Sequence, residues 1–370
     1  MPWIRRLLAY SELARRADQA TGRGRWPQWL ELLKLSRGPG AIGPGDYYTY
    51  RLFDPGLSWE QKLEFVGWRR EALLDGLNQR SWACLGLDKV LTLELLGAQG
   101  LACTKTLAIY KRGPGRPHQR AEQLADEAAL RRWLRDTIHY PFFSKPSASG
   151  FGRGACLAHE YLPERDALRL GDGSELAVDA FDFHRADQEN LGYLFQRPVT
   201  PDPSLQAQLG PELTSLRIMV LLDEETGPQI HRAFWKFPTG ANFSDNYNSG
   251  STGNLAAAID YDTGRVLRVI NGIGLDLREL RHHPDTGADL HQLSVPGWPE
   301  VQAFALRVAT LFPHLRFQQW DIALSASGPL ALELNLFATG GCDLTQLLER
   351  RGLLDARMRS CLAQQGLLTG

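Results

Sequence analysis

Residues Trp320 to Asn335 constrain this chain more than any other stretch. Two alternating apolar runs flank the small, turn-forming residues Ser325-Ala326-Ser327-Gly328-Pro329, which predicts a β-hairpin. A turn centred on Ser327 sets Asp321 directly opposite Glu333. Side chains alternate faces along a strand, so Glu333 and Asn335 share one face while Leu332, Leu334 and Leu336 take the other. Opposed residues have Cβ atoms about 5 Å apart, where two like charges destabilise a sheet. A hard cation reverses that sign, and three oxygen donors with open positions suit Mg²⁺ carrying substrate phosphates. The competing reading is a hairpin with one solvated polar face and one buried leucine face. Residues elsewhere in the chain must separate the two.

A chain of 370 residues can bury a large core and is long enough for two or three subdomains. Its formal charge of -1 argues against a generic nucleic-acid binder, which would be basic overall or carry a basic stripe. The five cysteines are scattered and lack a C-x-x-C spacing, which points to a reducing compartment and away from a disulfide framework or a zinc site. No apolar run approaches the roughly 18 residues a membrane helix needs. The start, Met1 to Leu8, has too short an apolar stretch for a signal peptide, so the expected location is cytoplasmic.

Residues 1–80 read as a helical region. Ile4, Leu7, Leu8 and Leu13 fall near helical spacing with Arg5, Arg6, Arg15 and Arg16 between them, most simply a solvated face and otherwise a docking face for an anionic partner. Ser58-Trp59-Glu60-Gln61 is a capping-box pattern that predicts a helix running to about Leu77. Asp88-Lys89 opens a further helix that Gly100 ends, and Leu107 to Tyr110 reads as a strand. A basic loop, Lys111 to Arg120, then leads into a predicted amphipathic helix from about Ala121 to Thr137.

The next segment, Pro141 to Gly154, is a strand running into a small-residue loop: Lys145 ends the strand, and Ser147, Ser149, Gly150, Gly152 and Gly154 follow. Glycines let backbone amides approach an anion, and the lysine supplies a point charge. It is not a Walker A loop, since the lysine precedes the glycines. Asn190 to Val199 is a strand stopped by Pro198, whose end can offer backbone groups to a nucleobase edge. Leu216 to Leu222, with Arg217, and His231 to Phe237, with Arg232, are further strands. The polar loop Pro238 to Asn254 holds Asn242, Asp245, Asn246 and Asn248 and reads as a mobile cover or a disordered connection. Leu344 to Gln364 predicts one closing helix.

Taken in order, Asp88-Lys89, Phe143 to Pro146 with its Gly loop, Gln196 to Val199, Ser215 to Arg217, Asp321 and Glu333 to Asn335 resemble the ATP-grasp superfamily. The Asp-Asn pair followed by glycines and the stretch His283 to Gly287 are similar to its sugar-transfer-associated or glutamate-ligase-like branch. The resemblance covers roughly residues 45 to 350. It implies an α+β, ATP-grasp fold of two lobes with antiparallel sheets: a helical N-terminal region over 1–80, one lobe over 81–195 and a second over 196–370.

The resemblance further implies that Lys89 and Lys145 contact the α/β-phosphates of ATP, that the loop with Ser147, Ser149, Gly150, Gly152 and Gly154 covers them, and that Gln196, Arg197 and Val199 line the adenine. Asp321, Glu333 and Asn335 would hold two Mg²⁺, with Mn²⁺ able to substitute. Arg217 would meet the transferred phosphoryl group, and Arg232, Asp245, Asn246 and Asn248 would lie on the substrate side. The implied reaction is ADP-forming carboxylate–amine ligation through an acyl phosphate, which needs positioning and charge neutralisation more than a protein nucleophile. The partners are then a small-molecule carboxylate and an amine, with no nucleic acid and no membrane span. A phosphotransferase acting on a hydroxyl, or an inactive ATP-binding scaffold, would use the same residues. Gln196, Gln319 and Ser251-Thr252 depart from the family pattern, the last two in the substrate region.

Overall fold

The computed structural model describes residues 2–113, 118, 120–148, 152–181, 190–336 and 341–368; the side chains of residues 2–7 lie outside that description. Two seven-stranded sheets organise the chain.

The first sheet comprises β1 (Thr106–Tyr110), β2 (Glu122–Leu124), β3 (Phe142–Pro146), β4 (Cys156–Leu162), β5 (Ala167–Leu170), β6 (Glu175–Ala177) and β7 (Tyr193–Gln196), in spatial order β2-β1-β7-β3-β4-β5-β6. Every pairing is antiparallel except β1 with β2. The helix Glu127–Arg135 packs Leu130, Trp133 and Leu134 against Phe142 and Phe195. It starts six residues later than its sequence predicts. Asp126 caps it by accepting from the Ala129 N–H at 2.7 Å, while Glu122–Leu124 is drawn off as a strand beside β1.

The second sheet comprises β8 (Ser215–Asp223), β9 (Gly227–Phe237), β10 (Leu255–Ile259), β11 (Val266–Asn271), β12 (Arg278–Glu279), β13 (Phe317–Ser325) and β14 (Gly328–Asn335), antiparallel throughout in the order β12-β11-β10-β9-β8-β13-β14. It is covered on both faces, and its residues alternate accordingly. Ile218, Val220 and Trp235 join a core with the helix Trp298–Ala309. Met219, Leu221 and Phe234 join another with the helices Cys342–Glu349 and Ala356–Gln364 and with the N-terminal segment, including Ala14, Leu32, Tyr47 and Phe65.

Two long helices, α1 (Pro2–Thr21) and α2 (Arg25–Ser36), begin the chain. Glu31 on α2 is buried because Lys62 meets it at 2.7 Å, Arg23 at 3.0 Å, and Tyr47 donates to it at 2.6 Å. The capping box at Ser58 forms as predicted, with Ser58 and Gln61 bonded reciprocally, yet its helix ends at Lys62. Long-range partners override local propensity: Val66 donates to the Gln346 side chain at 2.7 Å and Gly67 to the Gly40 carbonyl at 2.8 Å, and only the short turn Trp68–Arg70 and the five-residue helix Glu71–Asp75 follow before Leu77. The predicted closing helix is likewise two. Arg350 takes φ +53°, and Gly352 lies so close to the Glu64 backbone that a Cβ there would collide with it.

The β13–β14 hairpin carries one departure with functional weight. Its turn has two residues, Ala326 and Ser327, between the paired Ser325 and Gly328. That register alone would set Asp321 opposite Leu332. A bulge between Asp321 and Ile322 on one strand shifts the ladder by one residue, so that Asp321 faces Glu333. Leu332 consequently leaves the leucine face predicted for it and lines the cleft with Glu333 and Asn335, while Ala331, Leu334 and Leu336 are buried.

Candidate active site

A cleft of about 350 Å³ lies between the two sheets. Each charged group in it is placed by a different element. Asp88 caps the helix Lys89–Ala98 by accepting from Val90 N–H at 3.1 Å, and it also accepts from the Ser147 hydroxyl at 2.7 Å. Lys89 N–H donates to the Ser147 carbonyl at 3.2 Å. The first turn of that helix is thereby fastened to the end of β3, which carries Lys145. Ser147, predicted on the phosphate-covering loop, is fully buried in this role and is not among the residues that line the cleft.

Lys89 and Lys145 then converge on one oxygen, Glu333 Oε2, at 3.6 and 3.8 Å. On the other strand of the hairpin, Asp321 receives a two-pronged contact from Arg217, Nε at 2.5 Å and Nη2 at 2.9 Å, because the two residues are register partners on β8 and β13. Lys236 stands between Asp321 and Asp245, 3.4 Å from each, and Asp245 accepts from the Ser215 hydroxyl at 2.5 Å. Asn335 donates to Glu333 at 3.4 Å. The repulsion predicted between Asp321 and Glu333 is thus absorbed by protein cations.

Titration follows from these contacts. Burial works against ionisation of Asp321, but Arg217 and Lys236 outweigh it and hold the carboxyl well below the usual range. Burial likewise opposes the charge on Glu333, and Lys89 with Lys145 reverses the balance downward. Lys145 is pushed down by burial, with Glu333 resisting. Lys236 goes up, since Asp245 and Asp321 overcome its burial, whereas burial wins at Asp245 and raises it.

The remaining predicted residues divide as follows. Gln196, Arg197 and Val199 line the cleft wall together with Pro198. The Gln196 side chain donates to Thr104 Oγ1 at 2.7 Å and the Arg197 N–H to the Lys105 carbonyl at 2.9 Å, so neither donor is presented to the cleft. Gly152 and Gly154 have φ of +66° and +73°, conformations that favour glycine, and a Cβ on Gly152 would stand 2.9 Å from Asn246 Nδ2. Ser149 and Gly150 lie outside the described residues. Asp245, Asn246 and Asn248 line the cleft.

Arg232 does not. It is 2% exposed, bonded to the Gly352 carbonyl at 2.7 Å and paired with Asp355 at 3.1 Å. Arg232, Phe234 and Lys236 share a face of β9, but the segment 349–355 covers that face at Arg232. The cation over the cleft is Lys236, four residues on, which sequence reasoning missed although the same period of two reaches it. Also missed were Thr49, Tyr247, Ile273, Asp343 and Leu347, which line the cleft as well. Glu71, beside Asp343, is pushed up to about 9 by burial and by that carboxyl.

The donor set suits a hard cation. Two carboxylates and a carboxamide lie on one side of the hairpin, and lysine ammonium groups already stand 3.4 to 3.8 Å from both carboxylates. Among the described residues no three His, Cys, Asp or Glu side chains converge as a metal site, so such a cation would rest on Asp321, Glu333 and Asn335 together with a ligand's own oxygens.

Two antiparallel-rich sheets facing each other across a lysine-lined cleft define the ATP-grasp class of α+β proteins. A family model described as sugar-transfer associated ATP-grasp matches residues 68–360, and the chain belongs to that family. No curated protein matches. Solved structures similar to it include the VanG D-Ala:D-Ser ligase from Enterococcus faecalis (13% identity, 78% of this chain and 64% of that one, TM-score 0.42). The 2-oxoglutarate carboxylase biotin carboxylase domain from Hydrogenobacter thermophilus, in complex with MgADP, is similar at 12% identity over 75% and 45%, TM-score 0.41. D-alanyl-alanine synthetase A from Vibrio cholerae is similar at 12% identity over 79% and 68%, TM-score 0.42. The chain spans 45% of the length of the Hydrogenobacter domain and 64% of VanG. Among the described residues no helix is long and apolar enough to cross a membrane.

Proposed function

We propose that this protein is an ATP-dependent, ADP-forming ligase that joins a small carboxylic acid, such as a sugar acid, to an amine through an acyl phosphate. The observation that carries the proposal is the convergence of Lys89 and Lys145 on Glu333 across the cleft, beside Asp321 and its own cations. ATP, when bound, supplies the γ-phosphoryl group that activates the carboxylate. Lys89 and Lys145 would hold its phosphate oxygens, and Glu333, with Asp321 and Asn335, would hold a divalent cation that neutralises phosphate charge. Arg217 keeps Asp321 ionised and aimed. Lys236, between Asp321 and Asp245, is positioned to neutralise charge developing on the acceptor side. Asn246, in the loop Pro238 to Asn254, lies beside Gly152 and would help keep water from the activated acid.

The test is ADP release with panels of carboxylic acids and amines, with mass analysis of products. The proposal requires release that depends on an acid and an amine together, with an amide as product. A phosphorylated hydroxyl compound as sole product would replace ligase by phosphotransferase. The absence of a thermal shift with millimolar Mg²⁺-ATP would remove the nucleotide site itself.

A further inference from the structure

Away from the cleft, α2 carries a face that nothing among the described residues covers. Its inner side buries Gln28, Glu31, Leu32 and Leu35 at helical spacing. Its outer side presents Trp26, Leu30 and Leu33, exposed by 80%, 58% and 49%, at positions i, i+4 and i+7 of one stripe. Lys34 and Arg37 flank the stripe near its C-terminal end, both exposed. Beyond that end, Arg70 donates to the Pro39 carbonyl at 3.3 Å, and the adjacent Trp68 is 64% exposed with the Arg69 guanidinium 5.9 Å from its ring centre.

Single exposed leucines are ordinary on any protein surface. Here the apolar groups are aligned, include tryptophan, and coincide with a charge imbalance. The first 37 residues hold eight Lys or Arg against three Asp or Glu, whereas the rest of the chain carries a net charge of -6. Glu31 is paired with Lys62 and Arg23, Glu12 with Arg15, and Arg16 with Asp276, while Arg25, Lys34 and Arg37 stand exposed on or beside α2, so the charge next to the stripe is positive.

We infer that this face docks on an anionic membrane surface, with α2 lying in the headgroup layer. Trp26, Leu30 and Leu33 reach the acyl boundary, and the flanking cations meet acidic phosphates. A second copy fits poorly, because it would oppose two segments that each carry a net charge of +5. Three side chains of this size bury on the order of 500 Å², less than a stable protein interface needs per partner. A lipid surface asks for no shape complementarity, and its attraction grows with each added cation. The inference does not depend on the ligase reading.

The full chain, sedimented with vesicles of phosphatidylcholine alone or mixed with phosphatidylglycerol, should bind the mixed vesicles only, less so as salt rises, with a blue shift of tryptophan emission. The Trp26→Ser, Leu30→Ser double variant should partition at least about tenfold less, and Lys34→Glu with Arg37→Glu should abolish the preference for anionic lipid. An unchanged melting temperature in both variants would show that the fold survives. Equal binding to both vesicle types, binding to neither, or undiminished binding by the double variant would overturn the inference. So would a concentration-dependent dimer that the double variant abolishes, or capture of an acidic protein without any vesicle binding.

Discussion

Lys145 and Glu333 belong to different sheets and face each other at 3.8 Å across the cleft, with Lys89 from a third element 3.6 Å from the same oxygen. Glu333 is therefore the counter-ion that lets two lysines point into one space. The consequence reverses a simple view of the hairpin, in which deleting a charge opposite Asp321 would relieve repulsion.

Glu333→Gln should lower the stability of the ligand-free protein by about 1–3 kcal/mol, since two partly buried ammonium groups lose the carboxylate they share. It should also reduce ADP release by at least about a hundredfold through the lost cation clamp. Denaturant titration and a coupled ADP assay read the two effects. A variant more stable than the parent would mean that the lysines do not need this carboxylate.

Lys236→Met should leave nucleotide affinity within about threefold while cutting turnover at least about tenfold. Asp245, already raised by burial, loses the cation that holds it down and should titrate higher still. Nucleotide titration calorimetry beside steady-state kinetics separates the two quantities. Loss of nucleotide binding equal to the loss of turnover would place Lys236 on the phosphates and away from the acceptor.

Gly152→Ala should impair the coupling between loops. A methyl group at φ +66° is strained, and it would press on the Asn246 amide. Asn246→Ala removes that contact from the other side and should spare ATP affinity while raising the fraction of ATP hydrolysed without product. The ratio of amide to ADP measures this, and an unchanged ratio in both variants would show that the contact plays no part in excluding water.

His231 sets an acid limb on stability. It is buried, accompanied by Arg232 and Arg357, and these hold its imidazole down at about 3 even with Asp355 at 3.9 Å. A base with a depressed folded value is protonated first in the unfolded chain. Stability should therefore fall as pH drops from about 6.5 toward 3, by up to about 1.4 kcal/mol per pH unit. Glu349, raised to about 7 by burial, acts with the opposite sign as pH rises through that value. The clean readout is the difference between parent and His231→Gln, which keeps a donor for the Leu353 carbonyl and should flatten the slope.

The strands that carry the site were legible in the sequence because each pairs an alternating run with a turn or proline at its end. Lys145, Arg217, Asp321 and Glu333 all fall where those strands meet the cleft. What the sequence hid depends on distant partners. Ser147 looks like a phosphate ligand but turns to Asp88, and Arg232 looks like a substrate cation but is covered by Gly352 and Asp355. The helix after Ser58 stops because Gln346, 280 positions later, takes the Val66 N–H. No local pattern announces such a partner.

The bulge at Leu332 has a genetic consequence. The two-residue turn and the extra residue each shift the parity of the strand, and only together do they bring Glu333 opposite Asp321. One residue inserted between Ala326 and Ser327 should slip the ladder and by itself abolish function, whereas deletion of Leu332 alone moves Glu333 into the place that the plain two-residue register sets opposite Asp321 and should be tolerated. Carried on the same chain, the deletion should act as a one-way intragenic suppressor of the insertion, because together they return the number of residues between Asp321 and Glu333 to that of the parent.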